Sequence, residues 1–505
     1  MKNESIWKSG APDTLRYPGL SSDVEAEVAI IGGGITGLSV GFFLARQGIK
    51  VSVLEATYVG SGTTGSSTGN LYIAIDEMYH EVISKYDLET ARLLAESRKR
   101  AMVAIDEIIG QYQIDCDYKK TSWNLIAETR DAVPKLEKEY NALIQIGIEA
   151  TLSAKSAVFP DAHACLTIPD QAHFNPKKYA IGLAKAAVQA GCIIYEETRV
   201  LEFEDVDNGV LIHTTRGSLR SRKVVKATHS PIGEKLITTL LGPYREYVVA
   251  ARIKTPFPSG TYWTQQDEHH YSVRTAMDGS GQTHLLCLGE PHKVGQDEEN
   301  TERLKKLETY LRNRFDVGKL TYTWGAQHYK SADLIPYIGI YNNDKIFLAT
   351  GYSTDGLVYG TVAGLLITDL IQGKPNDWQE IYDPKRKNPI KSAGRVFKEN
   401  LNVLNEFVKG RIPFRWEADP LQNIEKGEGK VVVIDGKKYG VYRNAQGELS
   451  VVSAICPHMG CIVRWNNAER SWDCPCHGSR FTTTGKYIEG PSLQDLINIL
   501  PSQEL

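Results

Sequence analysis

Cysteines and histidines that can bind a transition metal are concentrated in one short stretch of this chain, CPHMGCIVRWNNAERSWDCPCHGSRF. Cys456 and His458 form one pair, and Cys474 and His477 form a second pair after a gap. Two thiolates and two imidazoles can hold zinc tetrahedrally. They can also hold a Rieske 2Fe–2S centre, in which the thiolates bind one iron and the imidazoles bind the other. A zinc site does not need the two further cysteines in the stretch, and their presence favours the iron–sulfur centre.

The same stretch, with EGPS beyond it, resembles the Rieske proteins of cytochrome bc complexes. The resemblance implies a disulfide that ties the two ligand loops together, between Cys461 and Cys476. A reducing cytosol disfavours such a bond, but cluster binding holds the loops together and limits access of a reductant. The cluster ligands implied by the resemblance are Cys456, His458, Cys474 and His477.

The residues after the last ligand bear on the redox potential of the cluster. In high-potential respiratory Rieske proteins, a serine and then a tyrosine donate hydrogen bonds to a cluster sulfide and a ligand thiolate. This chain keeps the serine, Ser479, but has Phe481 at the tyrosine position. Because such hydrogen bonds stabilise the reduced cluster, we expect a potential below the top of the Rieske range.

A glycine-rich turn near the start of the chain predicts a dinucleotide site. In EVAIIGGGITGLSVGFFLARQGIKVSVLE, a buried strand is followed by Gly32, Gly34 and Gly37 and by an apolar helix. A second strand then ends in Glu55, whose carboxylate can accept hydrogen bonds from a ribose diol. The glycines allow a tight turn, close approach of a pyrophosphate and close helix packing, and the helix N-terminus favours the phosphate charge.

The motif alone does not separate NAD from FAD, but later segments favour FAD. GSGTTGSSTGNLY supplies small residues, a helix is expected from about Pro176, and KVVKATHS reads as a buried strand. Near residue 350, KIFLATGYSTDGLVYGTVAGLLITDLIQGK indicates a strand, a glycine-containing turn and a long helix. The N-terminus of that helix could stabilise negative charge on a reduced flavin.

These pieces, in this order, resemble the D-amino-acid oxidase, glycine oxidase and sarcosine oxidase superfamily over residues 25–372. Relatives with a covalent flavin use a histidine in the early motif or a later cysteine, whereas this chain has Ser66 and a cysteine-free QHYKSADLIPYIG. Non-covalent FAD is therefore expected. The FAD-binding residues implied by the resemblance are Gly32, Gly34, Ile35, Thr36, Gly37, Glu55, Ala56, Gly62, Thr63, Thr64, Ser66, Ser67, Val200, Gly351, Ser353, Thr354, Gly356 and Leu357.

The intervening segments are expected to form a substrate domain that covers the flavin. YDLETARLLAESRKRAMVAIDEIIGQY has helical spacing, and REYVVAARIKTPFP and YSVRTAMDGSGQTHLLCLGE alternate as strands do. Tyr271 and Arg274 lie where relatives often hold a substrate carboxylate, and arginine suits that bidentate contact. Tyr329 and Lys330 are further candidates on the substrate side, and no catalytic residue is assigned.

The predicted fold is an α/β FAD-binding Rossmann-type domain with an α+β substrate domain, followed by a small all-β Rieske domain. FAD-binding segments are expected at about 25–75, 150–235 and 331–372, and substrate-domain segments at about 76–149 and 236–330. The oxidoreductase part is expected over residues 1–372, a linker with one helix over 373–418 and the Rieske domain over 419–505. The whole architecture resembles a bacterial group of flavin oxidoreductases with a C-terminal Rieske domain.

Composition limits the partners. A net charge of −3 gives no indication of nucleic-acid binding, and the most apolar stretch contains the dinucleotide glycines rather than a membrane span. The first residues do not form a secretory signal, and a cytoplasmic location is expected. The predicted substrate is an amine or amino acid.

The combination of two redox groups suggests the function. A flavin takes two electrons together and this cluster takes one at a time, so we expect an FAD-dependent dehydrogenase that passes single electrons to an unknown acceptor. Two alternatives remain open. One is an amine oxidase that uses oxygen and has a structural Rieske domain. The other is an electron-transfer module without a substrate of its own.

Overall fold

A computed structural model describes residues 2–9, 16–266, 269–386, 389–410 and 421–499. Of the linker expected at 373–418, residues 387, 388 and 411–418 lie outside the described residues. Among the residues that are described, no helix is both long enough and apolar enough to span a membrane.

The secondary structure is numbered in chain order. The strands are β1 Lys2–Asn3, β2 Val24–Ile31, β3 Val51–Leu54, β4 Asn70–Leu71, β5 Lys119–Ala127, β6 Thr151–Ser153, β7 Ala164–His173, β8 Ile193–Tyr195, β9 Val200–Val206, β10 Gly209–Thr214, β11 Gly217–Lys226, β12 Leu241–Ile253, β13 Thr261–Gln266, β14 His269–Met277, β15 Thr283–Lys293, β16 Val317–Ser331, β17 Tyr337–Asn342, β18 Ile346–Thr350, β19 Gly429–Ile434, β20 Lys437–Arg443, β21 Leu449–Ser453, β22 Arg464–Asn466, β23 Ser471–Asp473, β24 Arg480–Thr482 and β25 Tyr487–Glu489. The helices are α1 Ile35–Ala45, α2 Tyr79–Lys85, α3 Leu88–Tyr112, α4 Val133–Gln145, α5 Pro176–Gln189, α6 Lys235–Thr238, α7 Asn300–Arg314, α8 Gly356–Ile371, α9 Gln379–Tyr382 and α10 Pro389–Lys409. Short 3-10 turns occupy Ile6–Ser9, Thr63–Ser66 and Arg130–Ala132.

The first sheet is the nucleotide-binding one. Its strand order is β17-β18-β11-β2-β3-β8, and the hairpin of β9 and β10 extends it from β11. Strands β2, β3, β8, β11 and β18 are parallel. Their near-continuous apolar sequences are buried because helices α1, α5 and α8 cover the sheet. The β2–α1–β3 unit has the order that the glycine motif predicted.

The second sheet is larger and mostly antiparallel, in the order β1-β16-β12-β15-β14-β13-β5-β7-β4, with β6 paired to β7. Helix α7 packs on one face through Leu307 and Leu311. Strands β6 and β7 belong to this sheet, whereas the sequence assigned residues 150–173 to the FAD-binding segments. The reason is pairing: β7 runs antiparallel to β5 along almost its whole length, from Ala164 to His173.

The C-terminal part contains two small antiparallel sheets, β19-β20-β21 and β22-β23-β24-β25. A two-residue turn joins β19 to β20, with Asp435 and Gly436 both at positive φ as a type I′ turn requires. Trp465, Trp472 and Phe481 form the core between the sheets. Helix α10 packs against this core through Val403 and Phe407, so the predicted linker helix contacts the domain that follows it.

Candidate functional site

A cavity of about 800 Å³ opens at the carboxyl ends of β2 and β3 and extends beneath the larger sheet. Of the predicted FAD-binding residues, Gly37 and Gly351 do not line it. Those that line it are Gly32, Gly34, Ile35, Thr36, Glu55, Ala56, Gly62, Thr63, Thr64, Ser66, Ser67, Val200, Ser353, Thr354, Gly356 and Leu357. The structure therefore brings segments from four separate parts of the sequence to one cavity.

The glycines of the first turn are required by close backbone contacts. Gly32 has φ +109°, and a Cβ atom added there would lie 2.6 Å from the carbonyl oxygen of Ala227. A Cβ at Gly37 would overlap the carbonyl oxygen of Gly32, so Gly37 serves helix packing rather than ligand contact. Glu55 accepts hydrogen bonds from the backbone N–H groups of Gly33 at 2.7 Å and Thr57 at 2.8 Å, which fixes its carboxylate at the cavity.

The cavity has polar groups that fit a bound flavin. The hydroxyl of Thr354 lines it and is buried without a hydrogen-bond partner among the described residues, so it is available to a ligand. Helix α8 begins beside it with Asp355 at its N-cap. Burial raises the pKa of Asp355 to about 6 although Arg98 lies 3.7 Å away. These groups, together with the glycine turn, fit FAD.

The substrate-side candidates are not all at the cavity. Arg274 donates to the carbonyl oxygens of Thr68 and of Phe174, the latter at 3.1 Å, and burial lowers its pKa to about 9. Tyr271 donates to Glu290 at 3.1 Å and packs in the core under α7. Neither residue lines the cavity.

The other two candidates lie on β16, one at the cavity and one beside it. Tyr329 lines the cavity. Lys330 does not line it and forms an ion pair of 2.7 Å with Asp76. Two further residues of the same sheet, Glu246 and His328, line the cavity and were not singled out from the sequence.

The two predicted cluster loops have the same backbone hydrogen bonding. In the first, the N–H of Cys456 donates to Cys461 O at 2.8 Å and the N–H of Gly460 donates to Cys456 O at 2.9 Å. In the second, the N–H of Cys474 donates to Ser479 O at 2.8 Å and the N–H of Gly478 donates to Cys474 O. Both glycines have φ +76°. Each loop is therefore a tight turn that presents a cysteine and a histidine.

The side chains of the four predicted ligands meet between the loops. The rings of His458 and His477 lie edge to face with centroids 4.9 Å apart, and the side chains of Cys456 and Cys474 contact each other. Nδ1 of His477 is buried with no partner among the described residues, as a metal-binding nitrogen would be without its metal. The donor set therefore fits a 2Fe–2S cluster.

A disulfide joins the two loops between Cys461 and Cys476, as the resemblance implied. The sulfur atoms of these two residues and of Cys474 lie within 4.8 Å of one another. Since the disulfide removes two of the three as thiolate ligands, this group is not a separate metal site.

Ser479 and Phe481 lie next to the predicted ligands and are fully buried. The Ser479 hydroxyl is hydrogen-bonded to the Cys456 side chain and accepts from the N–H of Ser492 at 3.2 Å. Because the hydroxyl oxygen accepts from Ser492 with one lone pair, its proton is available for a hydrogen bond to the sulfur of Cys456. Phe481 packs in the core with Trp472 and offers no donor.

The second cluster loop is docked against the wall of the cavity. The Gln327 amide donates to Gly478 O at 2.8 Å, and the Tyr329 hydroxyl donates to His477 O at 3.3 Å. A Cβ atom at Gly478 would lie 2.7 Å from Pro243 Cβ and 2.8 Å from the Gln327 amide, so the two parts are closely packed. His477 is only 4% exposed.

A buried ion-pair network holds the same interface. Arg245, on β12, pairs with Glu469 and, at 2.9 Å, with Glu489 of the C-terminal part. Arg480 pairs with Asp473 at 2.9 Å and with Glu489 at 2.7 Å. Burial alone would raise the pKa of Glu469, but the two arginines hold it at about 2. The network therefore keeps its charges at neutral pH.

His229 connects the cavity with the docked loop. Its backbone has φ +64°, its ring nitrogen Nδ1 lies 3.0 Å from the Thr63 hydroxyl, and its ring meets the Tyr329 ring edge to face at 4.9 Å. Burial lowers the pKa of His229 to about 4, so the ring is neutral. A continuous packed route thus runs from the cavity through His229 and Tyr329 to the backbone of His477.

Sequence reasoning missed His229, Glu246, His328 and the Arg245 network. The one available signal for His229 was its place near the end of KVVKATHS, three residues after β11 ends at Lys226, since ligands gather at the carboxyl ends of parallel strands. The interdomain ion pairs join residues more than two hundred positions apart, and nothing local in the sequence indicates them.

Comparison with known proteins agrees with this organisation. Residues 27–370 match the family of FAD dependent oxidoreductases, and residues 416–501 match the Rieske [2Fe-2S] domain. These matches confirm the predicted fold class and both cofactors.

The similarity to known proteins extends over nearly the whole chain. The Rieske 2Fe-2S iron-sulfur protein YhfW of Bacillus subtilis is 32% identical over 98% of this chain and 97% of its own length. The gamma-glutamylputrescine oxidoreductase of Escherichia coli is 24% identical over 73% of this chain and 89% of its own. Glycine oxidase from Geobacillus kaustophilus superimposes with a TM-score of 0.61 at 21% identity, over 72% of this chain and 99% of that one, which shows the shared fold.

Proposed function

Because the chain belongs to the family of FAD-dependent oxidoreductases and carries a C-terminal Rieske domain, we propose that it dehydrogenates an amine or amino acid and sends the electrons through its own cluster. Bound FAD would supply a hydride acceptor, and the 2Fe–2S cluster would supply a one-electron carrier. The final acceptor is a separate, unidentified partner, and the cytoplasm is the expected location.

The protein's own residues have distinct roles in this proposal. Glu55 and the glycine turn hold the ADP half of FAD, while Thr354 and the N-terminus of α8 lie at the flavin end. Cys456, Cys474 and the two histidines of the loops bind the cluster. The chain provides no attachment residue in the two positions known from covalent relatives, so the flavin is held without a covalent bond.

The docking of the second cluster loop is the observation that carries the electron-transfer step. Gln327 and Tyr329 contact the backbone of the loop while both line the cavity. His229 packs against Tyr329 from the cavity side. The buried ion pairs of Arg245 favour a Rieske domain that stays docked during turnover, since undocking would separate these pairs and leave a buried charge without its partner.

The choice of a C–N bond is supported by the relatives. Their names include oxidoreductases of glycine and of gamma-glutamylputrescine, both of which contain an oxidisable carbon next to nitrogen. Both relatives match the part of this chain that forms the flavin cavity.

An anaerobic screen tests the proposal. Purified holoprotein is mixed with individual amines and amino acids while flavin bleaching is followed by absorbance and cluster reduction by EPR. We expect at least one compound to bleach the flavin and to produce a Rieske-type signal.

The other outcomes separate the alternatives. Bleaching without a cluster signal, together with oxygen consumption in air, would indicate an oxidase with a structural Rieske domain. Absence of bleaching by every compound would favour an electron-transfer module.

A further inference from the structure

Glu246 and His328 lie on neighbouring strands and face the flavin cavity together. Glu246 is on β12 and His328 on β16, two strands that pair directly. The Glu246 side chain is 4% exposed and lies 3.2 Å from Nε2 of His270. Nε2 of His328 is buried without a hydrogen-bond partner among the described residues, and its ring stacks on Tyr244. A buried nitrogen without a partner in the lining of a cavity calls for an explanation, and a contact to a ligand would supply one.

The charge state of this pair suits a cation. Burial raises the pKa of Glu246, but the hydrogen bond from His270 opposes burial, and the pKa lies below its ordinary value. Burial lowers the pKa of His328 to about 4, and Lys330 lowers it further while Glu246 and Asp76 raise it. Glu246 is therefore an anion at neutral pH, and His328 is a neutral ring with one nitrogen lone pair.

The cavity offers no free arginine for a carboxylate among the described residues that line it. Arg245 and Arg480 are both held in the buried ion pairs with Glu469 and Glu489. Arg199 lies over the ring of Tyr487, next to the position predicted for adenine. Lys8 also lines the cavity, but its side chain is exposed to solvent at the N-terminal segment.

From this arrangement we infer that Glu246 and His328 form the subsite for the substrate nitrogen and select amines that carry no carboxylate on the oxidised carbon. The Glu246 carboxylate balances the ammonium charge, and the neutral His328 nitrogen accepts one of its N–H groups. An amino acid would bring its carboxylate next to the carboxylate of Glu246. Because no arginine is available to form an ion pair with the substrate carboxylate, this repulsion weakens the binding of the amino acid. The inference rests on the proposed function and narrows its substrate class.

The test uses two probes that cannot be oxidised. tert-Butylamine and 2-aminoisobutyrate have the same branched carbon, differ by a methyl in place of a carboxylate, and have no hydrogen on the carbon bearing nitrogen. Their dissociation constants are measured on the oxidised holoprotein by calorimetry and by perturbation of flavin absorbance. Neither readout depends on turnover or on electron transfer to the cluster, so failure of that step would not affect it.

The expected result is that tert-butylamine binds at least about tenfold more tightly than 2-aminoisobutyrate. Glu246→Gln should weaken amine binding by about tenfold or more, as for loss of a charged hydrogen bond. Glu290 is a buried glutamate of the same sheet that does not line the cavity, so Glu290→Gln should leave the affinity for the amine unchanged. His328→Phe should also weaken the amine, because it removes the acceptor nitrogen.

Three results would overturn the inference. One is tighter binding of the amino acid, the second is no binding of either probe, and the third is unchanged amine affinity in Glu246→Gln with FAD still bound. If Glu246→Gln fails to retain FAD, the comparison is made with Glu246→Asp, which keeps the charge and shortens its reach. That variant should weaken amine binding less than His328→Phe, and the reverse order would also contradict the inference.

Discussion

The Ser479 hydroxyl provides a quantitative test of the cluster site. It is fully buried, contacts the Cys456 side chain and is oriented by the N–H of Ser492 at 3.2 Å. Reduction makes the cluster more negative, so this donor stabilises the reduced state more than the oxidised state. A charged hydrogen bond of roughly 1.5 kcal/mol corresponds to about 65 mV for one electron. Ser479→Ala should therefore lower the potential by some tens of millivolts, about 65 mV if the whole of such a bond is lost on removal of the hydroxyl.

The reverse change is available at Phe481, which stands where the high-potential proteins have tyrosine. Phe481→Tyr should raise the potential by a similar amount, because it adds one hydrogen-bond donor to the core that contains both ligand cysteines. Protein-film voltammetry on the full-length holoprotein measures both shifts. Ser471→Ala serves as the control, because that serine is equally buried in the same domain and bonds to Asp473 rather than to a ligand. Unchanged potential in Ser479→Ala, with iron content intact, would refute the reasoning.

Three further predictions concern the flavin and the interface. Glu55→Ala should weaken FAD binding by roughly 1.5–3 kcal/mol in reconstitution of the apoprotein, and an unchanged dissociation constant would contradict the assigned role. Acid precipitation should release FAD into the supernatant, and flavin in the pellet would indicate a covalent bond. Arg245 and Arg480 lower the pKa of Glu469 from 4.5 to about 2. The docked state is therefore stabilised by Glu469 by at most about 3 kcal/mol. This stabilisation is complete above pH 4.5 and is lost as the pH falls towards 2. Glu469→Gln should mimic that loss at neutral pH and increase the rate of limited proteolysis of the full-length protein, and equal rates for both proteins would count against the interface.

The parts of the fold that sequence predicted well are those with local physical causes. The turn from Gly32 to Gly37 needs glycine for backbone reasons that are visible within one β–α–β unit. The cluster loops likewise follow from ligand spacing and from the glycine in each turn. The amphipathic pattern of α3 and the Asp435–Gly436 hairpin are also local signals.

The parts that sequence could not supply depend on pairing between distant segments. Strands β6 and β7 joined the larger sheet because β5 offers an edge, which no property of residues 150–173 indicates. The position of Arg274 predicted a contact to a substrate carboxylate, but its guanidinium donates hydrogen bonds to the carbonyl oxygens of Thr68 and Phe174. Glu246 and His328 come together at the cavity only because β12 and β16 pair there.

If electrons pass from the flavin to the cluster of the same chain, the rate of cluster reduction does not depend on protein concentration. The flavin of the oxidised holoprotein is photoreduced anaerobically, and the rate of cluster reduction is followed over a wide range of protein concentration. Because the loop that carries His477 is docked against Tyr329 at the cavity, we expect one first-order rate at every concentration. A rate that rises in proportion to concentration, or a cluster that stays oxidised, would show that electrons do not pass from the flavin to the cluster within one chain.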